Sequence, residues 1–369
     1  RKERGKVSPG LESGEGHCYS GRPMGTPSYT FVKSNPRRLG VRLPNWMGDV
    51  IMVTPALRAL RHAFPEAKMV LWGKPGMKDL VEGASWCDDY ISEPPGESLD
   101  AILLLRRYFR SAWEAWRAGI PLRAGFSGDF RGGLLTHVVP SIAGHRSVHP
   151  YSWMTYQRRL MEGLGIPILD LQMELPLDSG CESRVEGLLS EKGLDPEKPL
   201  VCLNPGAGFG PSKRWPEEYF ARAGDALADK LGGEVFILAG PGEEAEGESI
   251  GQSMSSRAVL FGPEEGNLVM MKSLIRRASV ILSNDSGPRH IGACFDIPTV
   301  VMVGPFHPNI SENYHKRTSM IYEGVDCSPC HLRNCPVDHR CMTRITPEKV
   351  VKEALRLVEE KGEPVRSGV

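Results

Sequence analysis

The stretch Val280-Ile-Leu-Ser-Asn-Asp-Ser-Gly-Pro-Arg-His-Ile-Gly-Ala-Cys-Phe-Asp-Ile-Pro-Thr-Val-Val-Met-Val-Gly-Pro305 decides the fold of this chain. Val280 to Ser283 is a short strand-forming run, and Asn284-Asp-Ser-Gly287 is a polar turn. Pro288, whose fixed φ suits a first helical position, opens a helix with Asp285 or Ser286 as its cap. A second apolar strand, Thr299 to Val303, follows. Together these make a βαβ crossover with the turn at the carboxyl end of its first strand. Open α/β sheets bind ligands there, and the free N–H groups of a helix start suit a phosphate. The plainer reading is that Asp285 and Ser286 merely cap the helix.

The same alternation recurs upstream. Leu200 to Asn204 has a buried-strand pattern and runs into the loop Pro205 to Pro216. The helix Glu217 to Leu231, the strand Glu234 to Ala239, a short strand from Ala258 to Leu260 and the helix Asn267 to Arg277 complete this series. An earlier series starts with the strand Leu39 to Leu43 and the turn Pro44 to Asp49. Its first helix carries Val50, Val53, Leu57, Leu60 and Phe64 along one side, offset or kinked at Pro55. Strands at Met69 to Trp72, Ile102 to Leu105 and Arg123 to Phe126 follow, with helices at Met77 to Val81 and Ser111 to Ala118. Between Ile168 and Pro176 the composition shifts, and prolines 176, 196 and 199 bracket a small helix, Val185 to Glu191. Two α/β halves, 37–172 and 173–345, joined by a linker predict a cleft between them. A closing helix, 346–361, begins with Thr346 as cap and Pro347 at its first position.

A chain of 369 residues supports two separate cores. Its formal charge is zero, so bulk electrostatics names no acidic polymer and no nucleic acid as partner. No stretch has the apolar length of a membrane span. Residues 1–36 are rich in Gly, Ser, Pro and Arg and lack the apolar core of a signal peptide, so they read as a disordered extension. The expected compartment is the cytoplasm. Within this neutral chain the segment Ala101 to Leu160 is singular: nine arginines, at 106, 107, 110, 117, 123, 131, 146, 158 and 159, stand against Glu114 and Asp129 alone. Such a run is ordinarily a solvated face. Arginine used throughout in place of lysine favours bidentate recognition of phosphate or carboxylate.

Several features carry chemistry. Pro205 to Pro216 is glycine-rich without a dinucleotide or Walker spacing, and it places Lys213 just before a helix. Lys213 and the Asp285 turn, both at strand carboxyl ends, would converge on one anion. Asp49, at the mouth of the first helix, is either a cap or a general base facing the cleft. His290 lies four residues beyond Ser286, on the helix face that looks back toward it. Trp46 is either core or a platform for a sugar. Finally, Cys327, Cys330, Cys335 and Cys341, with His331 and His339 interleaved, have a spacing that suits a structural zinc. Two local disulfides or free thiols are the other readings of that segment.

Set side by side, these motifs resemble one family. Leu43-Pro-Asn-Trp-Met-Gly-Asp49 through Arg61, Asn204 through Pro216, Ser283 through His290 and Cys327 through Met342 are similar, in order and spacing, to the signatures of the ADP-heptose:lipopolysaccharide heptosyltransferases, glycosyltransferase family 9. The likeness runs from about Arg37 to Glu360 and is strongest to members that add the second heptose. It implies a GT-B architecture, two Rossmann-like domains facing a cleft, with the closing helix packing back on the N-terminal domain. It implies inverting transfer of L-glycero-D-manno-heptose from ADP-heptose to the heptose-Kdo2-lipid A inner core, at the inner face of the inner membrane. By the same likeness Asp49 is the base and Lys213 sits on the donor diphosphate. Asp285, Ser286, Gly287, His290 and Gly208 hold the donor, and Asn45, Trp46, Arg106 and Arg107 meet the anionic acceptor. No metal is required for catalysis. The other readings are a relative acting at a different core position and a catalytically silent nucleotide-sugar binder. A metal-stapled nucleic-acid binder is more remote still. The chain departs from the family pattern at Pro288, Arg289, Phe306 and His307, all near the donor motif.

Overall fold

The protein is described by a computed structural model over residues 31–95, 99–141 and 151–360. The described residues form two six-stranded sheets in which every neighbouring pair runs parallel. In the first, β1 (Arg38–Arg42), β2 (Lys68–Trp72), β3 (Asp89–Ile91), β4 (Ala101–Leu104), β5 (Leu122–Phe126) and β6 (His137–Val139) lie in the order β3-β2-β1-β4-β5-β6. The second sheet contains β7 (Leu200–Asn204), β8 (Glu234–Leu238), β9 (Ala258–Phe261), β10 (Val280–Asn284), β11 (Thr299–Val303) and β12 (Thr318–Tyr322). Its order, β12-β11-β10-β7-β8-β9, repeats that of the first. In each sheet the order in which the chain adds strands therefore reverses between the two central ones, β1/β4 and β7/β10. At such a switch point the loops leaving the carboxyl ends diverge and open a crevice.

The central strands are apolar because both faces are covered: β7, β10 and β11 are buried at every residue. In the first half α1 (Met47–Met52) and α2 (Thr54–Ala63) follow β1, then α3 (Lys78–Val81), α4 (Phe109–Arg117) and α5 (Trp153–Gly163). The helix expected after β1 is broken into two at Val53, because Pro55 cannot donate to the preceding turn. In the second half come α6 (Ser179–Glu191), α7 (Glu217–Leu231), α8 (Glu244–Ser253), α9 (Leu268–Arg277), α10 (Pro288–Cys294), α11 (Arg340–Thr343) and α12 (Pro347–Glu359).

Three expectations are corrected. The extension expected through residue 36 ends earlier: residues 1–30 lie outside the described residues, but Phe31 is fully buried, edge-on to Phe64 and His137. The helix before β7 is a full α6, longer than the small one expected. Most consequential, among the described residues the closing helix packs on the second half instead of the first. α12 packs on α7, β10 and β11, its Val350, Ala354 and Leu357 join the core beneath the second sheet, and Arg317 donates to the Leu357 carbonyl.

The connection between the halves is laced to the first one. Arg58 on α2 reaches Glu174 at 2.8 Å and Asp170 at 3.3 Å, and Thr54 Oγ1 accepts from the Glu174 amide. Contacts between halves concentrate where α1 meets α10 and α3 meets α9. At the first, Gly48 and Gly287 face each other: a Cβ on Gly48 would stand 3.0 Å from His290, and one on Gly287 would collide with Met47. No helix among the described residues is long and apolar enough to cross a membrane.

Candidate active site

A cavity of about 600 Å³ lies where the two switch points face each other. From the first half Trp46, Gly48, Asp49, Arg106 and Trp153 line it, and from the second Gly208, Lys213, Glu243, Asp285, Ser286, Gly287, His290 and Phe306 do so. Its size and mixed lining are those of a small-molecule site.

Asp49 is the third residue of α1, whose N-cap is Trp46 without a side-chain cap bond, so the carboxylate is released from capping. It accepts from Arg106 Nη2 at 3.0 Å. Arg106 stands just beyond β4, next to β1 in the sheet, and this adjacency joins residues far apart in sequence. Burial raises the Asp49 pKa, against the opposing pull of Arg106 and, from across the cavity, Lys213. The result is a carboxylate with increased proton affinity and a cation that favours its ionised form.

The second half contributes a buried charge cluster. Lys213 Nζ donates to Asp285 Oδ2 at 2.7 Å and to the Asp285 carbonyl at 3.0 Å. Arg289 Nε donates to Asp285 Oδ1 at 3.1 Å, while its Nη2 donates to the Ser311 carbonyl. Burial alone would raise the Asp285 pKa, but Lys213 and Arg289 hold it far below the usual carboxylate range. Lys213 also lies 4.3 Å from the centre of the Phe306 ring. Two cations on one carboxylate leave a net positive charge at the cavity wall. His290, buried beside Arg289, has its pKa lowered well below the ordinary value, so the ring is neutral. Asp285 and Ser286 are not the caps expected: Gly287 occupies that position, and Ser286 Oγ instead accepts from Asn204 Nδ2 at 2.8 Å.

Two asparagines that end β7 and β10 tie their loops together. Asn204 reaches Ser283 and Ser286, while Asn284 accepts from the Trp215 amide and donates to the Pro205 carbonyl. The cysteine segment closes over the same loop. Ser212 donates to the carbonyls of Arg333 and Leu332, and His339 Nε2 bonds the Ser212 carbonyl at 2.8 Å. The four thiols of this segment lie near one another: besides burial, Cys335, Cys327 and Cys330 all push the Cys341 pKa up. Cys341 is buried at α11 against Gly304, whereas Cys327 is exposed. Among the described residues no group of three or more His, Cys, Asp or Glu is placed to hold a metal ion. Cys327, Cys330, Cys335 and Cys341 form no disulfides in this structure.

Other sequence candidates fall at different distances from the cavity. Trp46, on α1's approach, is 54% exposed, and its ring edge lies 4.0 Å from a Cβ built on Gly208, so it spans the mouth between halves. Asn45 and Arg107 do not line the cavity; Arg107 donates to Ser141 Oγ and lies over Tyr156. Arg146 falls outside the described residues. The lining also includes residues outside the sequence motifs, Glu243 and Trp153 among them. Glu243 accepts from the Ala207 and Gly240 amides, and Trp153 Nε1 donates to the Asp49 carbonyl at 3.3 Å. The acid of the Gly240-Pro-Gly-Glu243 turn was a signal for the first; the second had none.

The family model for glycosyltransferase family 9 (heptosyltransferase) matches residues 96–340. Lipooligosaccharide heptosyltransferase 2 of Campylobacter jejuni is 25% identical over 334 residues, 87% of this chain and 98% of the relative. Lipopolysaccharide heptosyltransferase 2 of Salmonella typhimurium is 26% identical over 346 residues, 86% of this chain and 98% of the relative. Among solved structures, a family 9 glycosyl transferase from Veillonella parvula superposes with a TM-score of 0.76 at 21% identity, covering 88% of this chain and 97% of that one. The ADP-heptose heptosyltransferase II structure of Escherichia coli gives 0.72 at 24% identity, covering 88% and 100%. The fold shared with both is GT-B.

Proposed function

The chain belongs to glycosyltransferase family 9, and on that premise we propose that it moves L-glycero-D-manno-heptose from ADP-heptose to the heptose-Kdo2-lipid A core, with inversion, as a heptosyltransferase II. The observation that carries this reading is the single cavity into which Asp49 of one half and the Lys213–Asp285 pair of the other both open. In this reading the first half takes the acceptor and the second the donor. An acceptor hydroxyl gives its proton to Asp49 and attacks the anomeric carbon as the bond to the diphosphate breaks. Negative charge growing on the departing ADP is met by Lys213, which exchanges Asp285 for phosphate, while Arg289 stays on Asp285. Ser286, Gly287, His290 and Gly208 flank the donor, and Arg106 and Trp46 flank the acceptor beside Asp49. Transfer then needs no metal to stabilise the leaving group, and the lipid-borne acceptor brings the enzyme to the inner face of the inner membrane. The resemblance to relatives named heptosyltransferase 2 supports that acceptor.

The test is release of ADP from ADP-heptose, with excess chelator, over a panel of lipid A-Kdo acceptors bearing none, one or two heptoses. Release with the one-heptose acceptor alone is expected. Release with another member moves the enzyme to a different core position, and release with none overturns the transferase reading.

A further inference from the structure

α4 turns one face inward and leaves a different one to solvent. Ser111, Ala112 and Ala115 pack on the small core that includes Val70, Ile102, Leu104 and Leu135. Phe109, Trp113 and Trp116, spaced four and three apart, form one outward stripe. Tyr108 precedes the stripe at 49% exposure, Trp116 is 53% exposed, and Phe130 on the neighbouring loop is completely exposed. The two loops are fixed to each other by Arg131, itself buried, which donates to the carbonyls of Phe126, Arg106 and Tyr108. Single exposed aromatics are ordinary, but five on one helix and its adjoining loop are an interaction surface.

Charge identifies the occupant. Arg110 and Arg117 flank the stripe, and the Arg117 guanidinium lies 5.3 Å over the Trp113 ring. Glu114, the one acid of α4, is spent on Arg110. Aromatics that bury their rings while their edges stay wet, bordered by arginines, match the headgroup layer of an anionic bilayer. The stripe also sits beside the cavity: Arg106 donates to the Tyr108 hydroxyl at 2.9 Å and to Asp49 at 3.0 Å. We propose that Tyr108, Phe109, Trp113, Trp116 and Phe130 form a face that seats on an anionic phospholipid surface and presents the cavity mouth to it. This deepens the proposed function and rests on its lipid-borne acceptor.

The experiment is co-sedimentation of the full chain with vesicles of phosphatidylglycerol and phosphatidylethanolamine, and separately of phosphatidylcholine, with neither donor nor acceptor present. Binding to the anionic vesicles alone, weakened by salt, is expected. Both Trp113→Ser/Trp116→Ser and Phe130→Ser/Arg117→Glu should lower partitioning at least tenfold, with unchanged thermal midpoints. ADP release on a water-soluble truncated acceptor should stay within twofold. Absence of wild-type binding, or variants that bind as the wild type does, overturns the proposal. So does a wild-type dimer that the variants dissociate, which would make the face a protein interface. Vesicle binding without ADP release on any acceptor overturns the transferase reading and leaves the face standing.

Discussion

Arg106→Gln tests whether the cation beside Asp49 serves the base or only the acceptor. The pair is largely buried, with side-chain exposures of 15% and 25%, so solvent screens it little. A charge-assisted hydrogen bond of this kind contributes about 1.5–3 kcal/mol. Losing it favours the protonated carboxyl by roughly ten- to a hundredfold, because about 1.4 kcal/mol is tenfold. Burial already raises the Asp49 pKa, and Arg106 is the largest effect opposing that rise, so the variant's carboxyl moves further up. A base must be unprotonated to work. The acidic limb of kcat/KM against pH therefore shifts upward. Activity falls by up to that factor on the acidic side of the limb and recovers toward the wild-type value as pH rises past it. ADP release, measured across this range at fixed subsaturating acceptor, reads the limb directly, and Arg106→Lys should lie between the two. A uniform loss at every pH with the limb in place would refute the reasoning and leave Arg106 as an acceptor contact only.

Other perturbations separate the site's electrostatics from its framework. Lys213→Met should lower kcat by roughly a hundred- to a thousandfold at saturating donor, as loss of a preorganised donor to a leaving group does. Its thermal midpoint should change little, since Arg289 still neutralises Asp285; a kcat within tenfold of wild type would remove Lys213 from the chemistry. Asp285→Asn strands the fully buried Arg289 and should destabilise by about 3–5 kcal/mol at neutral pH in denaturant titrations. Because the folded carboxyl is depressed, its contribution is complete above about pH 4 and is lost as pH falls toward the folded value, so the two unfolding curves converge in strong acid. Glu246 behaves oppositely: burial pushes its carboxyl from 4.5 up to about 7 despite Arg214. Ionisation therefore costs the folded state as pH rises through that window, and Glu246→Gln should stabilise by about 1–3 kcal/mol at pH 8 and by nothing at pH 4. An equal effect at both pH values would show that burial of the charge is not the cause.

What the sequence made legible follows from how each feature is built. Leu200 to Asn204, Val280 to Asn284 and Thr299 to Val303 lie inside a parallel sheet, so nearly every position is apolar and the run reads as a strand on sight. The strands Asp89–Ile91, His137–Val139 and Thr318–Tyr322 went unread because each sits on a sheet edge, where one side is wet and the pattern is mixed. The cysteine spacing does mark neighbours: the thiols of Cys327, Cys330 and Cys335 lie within electrostatic reach of Cys341, which its helix sets against Gly304. Arg289, odd beside the family pattern, is explained only by the fold, which buries it on Asp285.

The site itself divides along the same line. Asp49, Lys213 and Asp285 could be found one by one, since each follows the carboxyl end of a readable strand. Their convergence could not, because it depends on strand order. The Asp49–Arg106 pair exists only because β1 and β4 are neighbours across a switch point, and the Lys213–Asp285 pair because β7 and β10 are neighbours across the other. Even with both orders known, the two crevices need not face each other. What allows it is the pair of glycines where α1 meets α10: a side chain at Gly287 would strike Met47, and one at Gly48 would press on His290. In the sequence each of these glycines reads as a turn residue, yet in the fold their missing side chains are what bring a carboxylate from one half within electrostatic reach of a lysine from the other.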